Sequence, residues 1–150
     1  MFDHADDEPI LVLSEDESWR LLENTQHGRL VTVVAGRADI FPVNHAVQER
    51  TLVLRTAPGT KLAEMAVNEE VLFESDGILS DQAWSVVLRG HAQRLETEKD
   101  REAVQSLGLR SWVPTLKENY VRITPTHISG RHFRFGLQPE RELGEGSETG

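Results

Sequence analysis

The chain has 150 residues, no cysteine and a formal net charge of −9. That length fits one domain with a real core. The missing thiols exclude disulfides, thiolate metal sites and cysteine nucleophiles, and the acidic balance repels nucleic acid and anionic membrane, so neither is an expected partner. Residues 1–9 are polar and acidic, unlike a signal peptide, and no apolar run approaches membrane-spanning length; a cytoplasmic protein is expected.

In chain order, residues 1–13 are expected to be a loose N-terminal segment, although Leu11 and Leu13 lead toward the first helix. Ser14 with Glu17 forms a capping box, and Trp19 and Leu22 recur at helical spacing, which predicts a helix from about Glu15 to Gln26 with Gly28 as its stop. The period then changes. Leu30-Val-Thr-Val-Val34 is β-branched and reads as a strand. After a turn at Ala35–Ala38, residues 39–47 alternate, with Phe41, Val43 and His45 on one face and Ile40, Pro42 and Asn44 on the other. Pro42 cannot donate to a ladder, so this strand has an edge or a bulge there.

Residues 51–55 form a third strand, and Leu52-Val-Leu-Arg-Thr-Ala-Pro-Gly-Thr-Lys61 is the stretch richest in chemistry. Arg55 and Thr56 stand at the strand end, Pro58-Gly59 turns, and Thr60-Lys61 opens a short helix to about Val67. Two cations and two hydroxyls at a helix N-terminus suit a phosphate group. The plain alternative is a solvated loop. Glu70–Glu74 reads as a fourth strand, a turn at Ser75-Asp-Gly77 follows, and Ala83–Ala92 reads as a fifth, with Gly90 hinting at a bulge. Thr97 opens another helix, closed by Gly108; the segment 109–119, with Trp112 and Pro114, is irregular. Tyr120–Thr124 is a sixth strand, continued after Pro125 to Phe135, and the Glu- and Gly-rich residues 137–150 are expected to be a disordered acidic tail. One domain over residues 14–136 results: mainly β with flanking helices, an antiparallel barrel of six strands.

His27-Gly-Arg-Leu-Val31, Ile40-Phe-Pro-Val-Asn-His45, Leu54-Arg-Thr-Ala-Pro-Gly-Thr-Lys-Leu62, Phe73-Glu74 and Ala83-Trp-Ser-Val-Val-Leu-Arg-Gly90 follow one another in a spacing that resembles the pyridoxamine 5′-phosphate oxidase-like flavin-binding split-barrel family, in the branch that includes nitroimidazole-resistance-type reductases. The resemblance spans about Leu13 to Phe135. It implies a six-stranded split barrel working as a homodimer on a small-molecule substrate, with an FMN-type cofactor at the interface. It implies that Arg55, Thr56, Thr60 and Lys61 hold the phosphate and that Gly59 lets the backbone come close. It implies that Pro42, Val43, Asn44 and His45 run along the flavin ring, and that Trp84 and Ser85 approach it, in some relatives from the partner subunit. True pyridoxamine phosphate oxidases carry a longer C-terminal part that grips the substrate, and this tail supplies no such residues.

FMN is the first expectation, since the corner suits one phosphate. A deazaflavin coenzyme is the alternative, with Arg37, Arg131 and Arg134 as candidates for its anionic tail. Non-catalytic flavin carriage is a second class, and haem binding, with Arg131-His-Phe-Arg134 near the last strand's end, a third. His45 is a candidate proton donor because histidine titrates near neutrality, and a packed histidine is the plain reading. The six histidines are scattered with no His-x-x-x-His pair, so no metal site is expected. No acid, base or nucleophile is assigned; in flavin chemistry the cofactor carries the reaction.

Overall fold

A computed structural model describes residues 2–4, 8–109 and 119–136. Its elements run β1 (Ile10–Leu13), α1 (Glu15–Glu23), β2 (His27–Val34), β3 (Arg37–Gln48), β4 (Thr51–Thr56), α2 (Thr60–Val67), β5 (Glu70–Ile78), β6 (Gln82–Leu95), α3 (Glu98–Gln105) and β7 (Asn119–Arg134). The strands pair in the order β1-β7-β4-β3-β2-β5-β6, and a further β6–β7 ladder closes the sheet on itself. Six strands therefore make the expected antiparallel barrel. β1 is a seventh strand outside the ring, paired with the far end of β7 from Ile10↔Phe133 to Leu13↔Gly130. Residues 10–13, counted with the loose N-terminal segment in the sequence reading, are thus strand: β7 outruns β4 and offers them a free edge.

Alternation sorts the residues. Leu30, Val43, Leu54, Phe73, Val86 and Leu88 point into the barrel and are fully buried. Trp19 and Leu22 of α1 plug one end of this core. A second cluster, Val53, Leu95, Val104 and Tyr120, lies on the opposite face of β4 under α3. Thr97 caps α3 by accepting from the Asp100 N–H at 3.1 Å.

Three sequence expectations shift. The first helix ends at Glu23, not Gln26, because Asn24 and Thr25 satisfy its last carbonyls: the Asn24 side chain donates to the Arg20 carbonyl at 3.0 Å, and the Thr25 hydroxyl to that of Leu21 at 3.2 Å. Gly28 is then not a helix stop but a β2 residue, where a Cβ would overlap the Phe73 ring and the Glu74 carbonyl. The turn expected at Ser75–Gly77 is absent; β5 runs through to Ile78, and Gly77 leaves room for the Trp84 indole facing it. The expected bulge at Gly90 is present: the β6–β7 register shifts between Arg89 and Gly90, where a Cβ would meet the Thr124 carbonyl. Pro42 fits as an edge residue, since β4 pairs with β3 only from His45 to Gln48. Trp112, Pro114 and the tail 137–150 lie outside the described residues.

Gly28→Ala is expected to lower the unfolding free energy by about 1–3 kcal/mol, the overpacking range, measured by urea denaturation. Wild-type stability in that variant would mean the β2–β5 contact is looser than described.

Candidate functional site

β4 ends at Thr56 and α2 begins at Thr60, so the candidate corner exists as a strand-to-helix turn. Its four side chains do not converge. Thr56 shares the inner face with Leu52 and Leu54 and is buried. Arg55 leaves β4 on the other face, with Val53, and its Nη1 donates to the Leu109 carbonyl at 3.1 Å. Thr60 is exposed. Lys61 is half-buried with its Nζ 5.8 Å from the Phe41 ring centroid. Burial pushes the Lys61 amine below its ordinary value. Among the described residues no carboxylate pairs with it. No side chain caps α2 at Gly59, so its first N–H groups are left to solvent or to a ligand. A Cβ on Gly59 would meet nothing within 4 Å, so the turn is open on that side. A desolvated cation beside an uncapped helix start is an arrangement that an anion would stabilise.

The strand Pro42–His45 splits by face. Val43 and His45 are buried inside the barrel; Pro42 and Asn44 face outward, paired with Arg29 and His27 of β2. The His45↔Leu54 register puts Asn44 across from Arg55, so these two share a face. Beside them a cavity of about 670 Å³ is lined by Asn44–Val47 of β3, by Glu23 at the end of α1 and Thr25 and Gln26 after it, and by Leu107–Leu109. Leu109 is the residue whose carbonyl holds Arg55. The irregular segment from Leu109 on was an expected pocket wall; Glu23, Thr25, Gln26, Leu107 and Gly108 carried no such sign, because they are placed by where α1 and α3 stop.

Trp84 and Ser85 also part company. Trp84 faces inward, across from His132 and against Gly77; Ser85 faces outward across from Arg131, in a hollow of about 230 Å³ shared with Arg89 and His127. Of the expected ring contacts, Asn44, Pro42 and Ser85 thus lie on the outer sheet surface. Val43, His45 and Trp84 could offer such a ligand little beyond backbone.

His45 is built as a packed residue. Its Nε2–H donates to the Leu22 carbonyl at 3.0 Å, its backbone N–H to the Gln26 carbonyl at 2.8 Å, and its ring meets Phe73 edge-on at 5.0 Å. It ties the end of α1 to the barrel. Burial lowers its pKa from the ordinary 6.5. The unfolded chain therefore takes up a proton at a pH where the folded core refuses it, so stability is complete above 6.5 and falls as pH drops below it. His45→Gln is expected to lose less melting temperature than wild type between about pH 7 and about pH 5; parallel losses would show that His45 does not carry this dependence.

The sequence model of the family described as pyridoxamine 5′-phosphate oxidase matches residues 14–132. A solved structure from Corynebacterium glutamicum ATCC 13032 superposes with a TM-score of 0.82 at 40% identity, covering 89% of this chain and 100% of the other. The FAD binding protein from Mycobacterium smegmatis is 45% identical, with a TM-score of 0.71, over 83% of this chain and 98% of its own. An uncharacterized protein of Mycobacterium tuberculosis is 41% identical over 95 residues, 63% of this chain and 86% of its own length. With the model spanning nearly the whole barrel, this chain belongs to the pyridoxamine 5′-phosphate oxidase family.

Proposed function

We propose that the chain is a flavin-dependent oxidoreductase that holds FMN at a homodimer interface and acts on a small-molecule substrate. The observation that carries the reading is Lys61: half-buried, without a carboxylate among the described residues, and next to the uncapped start of α2. An isolated buried cation costs stability, and a bound phosphate offsets that cost. The residues present therefore fit the anionic end of a flavin nucleotide. The flavin, when bound, supplies hydride or electron transfer. The chain would bind its phosphate through Lys61 and the α2 N–H groups. Asn44 would face the ring from β3, with the cavity beside it open to a substrate. Arg55 would brace the Leu109 wall of that cavity.

The homodimer is supported by the outer sheet face. Ile40 is 63% exposed and lies in a row with Val31 of β2 and Leu72 of β5, and Val12 and Ile78 are 71% and 76% exposed elsewhere on the outer face. Adjoining exposed apolar side chains such as those of this row are the kind of surface a partner covers. Asn44 and Ser85 stand on the same outer face, so a second copy docked there would also cover the ring contacts. The alternative of FAD is favoured by the Mycobacterium smegmatis relative.

The spectrum of the purified protein, with the released chromophore weighed, separates FMN from FAD and from a deazaflavin. Lys61→Ala is expected to weaken FMN by roughly 1.5–3 kcal/mol, the worth of a charged hydrogen bond. Adding Arg55→Ala, which releases the Leu109 wall, should weaken binding further while light scattering still reports a folded dimer. Unchanged FMN affinity in the double variant would remove the site. A wild-type protein that stays monomeric at high concentration would remove the interface.

A further inference from the structure

His132 sits on the inner face of β7 at the barrel's end and is buried, 4% exposed. Its Nε2 lies 2.8 Å from Gln82 Oε1, and its Nδ1 lies 2.5 Å from Nε2 of His4. The other ring nitrogen of His4, Nδ1, is 3.0 Å from the Glu8 carbonyl. Phe2 stacks at a tilt on His132, with ring centroids 4.9 Å apart, and packs against the main core. Residues 2–4 thus lie across the mouth of the barrel, beside Trp84, which pairs with His132 across β6–β7.

Counting protons decides what this arrangement does. Carbonyl and amide oxygens accept, so His4 Nδ1 and His132 Nε2 must each carry a proton. One more proton lies between His4 Nε2 and His132 Nδ1. The three bonds close together only when the pair holds three protons and one positive charge. A fourth proton would set two N–H groups nose to nose. Losing the third would leave two bare nitrogens facing each other.

We propose that residues 2–4 are a pH-operated latch on the barrel mouth, shut only while the His4–His132 pair holds three protons and released when it takes up the fourth or gives up the third. Release would uncover the inward edge of Trp84 and leave β1 held by its ladder and by Leu11 and Leu13 against the core. The groups facing His132 set the window. Burial, His4 and the positive amino terminus all push its pKa down from 6.5, and Asp81, in the β5–β6 turn, pushes it up. Arg134, across from Gln82 on β7, and Glu8, through its carbonyl, complete the surroundings. The fourth proton therefore binds below 6.5.

Long-range proton–nitrogen NMR of the imidazoles in the full-length, 15N-labelled chain tests this. Where the pair holds three protons, His132 should show the neutral Nε2–H form with a cross-relaxation signal to the Phe2 ring. On acidification that signal should vanish as His132 gains its second proton. Hydrogen exchange of the β1 amides, corrected for the intrinsic pH effect, should rise about tenfold or more in step, the range for losing a charge-assisted bond. His4→Ala, which leaves the buried His132 in place, should show the faster exchange at every pH. A Phe2–His132 signal that persists after His132 is protonated would overturn the latch. So would a His4→Ala chain whose β1 amides stay as protected as wild type.

Discussion

The ladder between β6 and β7 is the constraint on which the rest of the molecule depends. It runs from Gln82↔Arg134 to Leu95↔Tyr120, and it turns an open sheet into a ring. β7 is long enough to serve three partners: β4 over Leu52↔Ile123 to Thr56↔Asn119, β6 throughout, and β1 at its far end. Closing a six-stranded ring demands strong coiling, and a bulge supplies it. The bulge falls where Gly90 meets the Thr124 carbonyl, because any side chain there would keep the two strands apart.

Closure has a second consequence. Each strand gives one face to a sealed core and the other to the outside, so neighbours in sequence have opposite fates. Val43 and His45 are inside while Pro42 and Asn44 are outside; Trp84 is inside while Ser85 is outside; Thr56 is inside while Arg55 is on the α3 side. A motif read as a run of consecutive contacts is therefore half outer surface and half core. The core half still matters to the site. His45 ties the end of α1, and with it Glu23–Gln26, to the strand that floors the cavity.

Much of this was legible in the sequence. The capping box at Ser14 and Glu17, the period-two run from Asp39 to Val47, the Thr97 cap and the Gly90 bulge are local signals, and each appears where local chemistry places it. Gly28 and Gly77 misled because a glycine serves two ends: it can stop an element, or it can make room for a neighbour. Only the facing residue, Phe73 or Trp84, tells which, and strand pairing over tens of residues decides what faces what. The divergence of Arg55 from Lys61 was hidden for the same reason. Spacing along the chain put them at one corner, but β4 alternation sends Arg55 toward Leu109, and α2 carries Lys61 toward Phe41.

That divergence also spares the corner a repulsion. On an acidic chain, two cations pointed at one empty spot would repel each other and strain the corner. Here each has its own support before any ligand arrives. Arg55 gives a hydrogen bond to the Leu109 carbonyl, and Lys61 rests its charge on the face of an aromatic ring. The second arrangement is the weaker, since a ring at 5.8 Å replaces little of the hydration that burial removes. Lys61 is thus the cation with most to gain from an anion, and Arg55 the one whose work is already to hold the cavity wall. In the proposed reading the two divide the labour: one grips the phosphate, and the other fixes the shape of the space next to it.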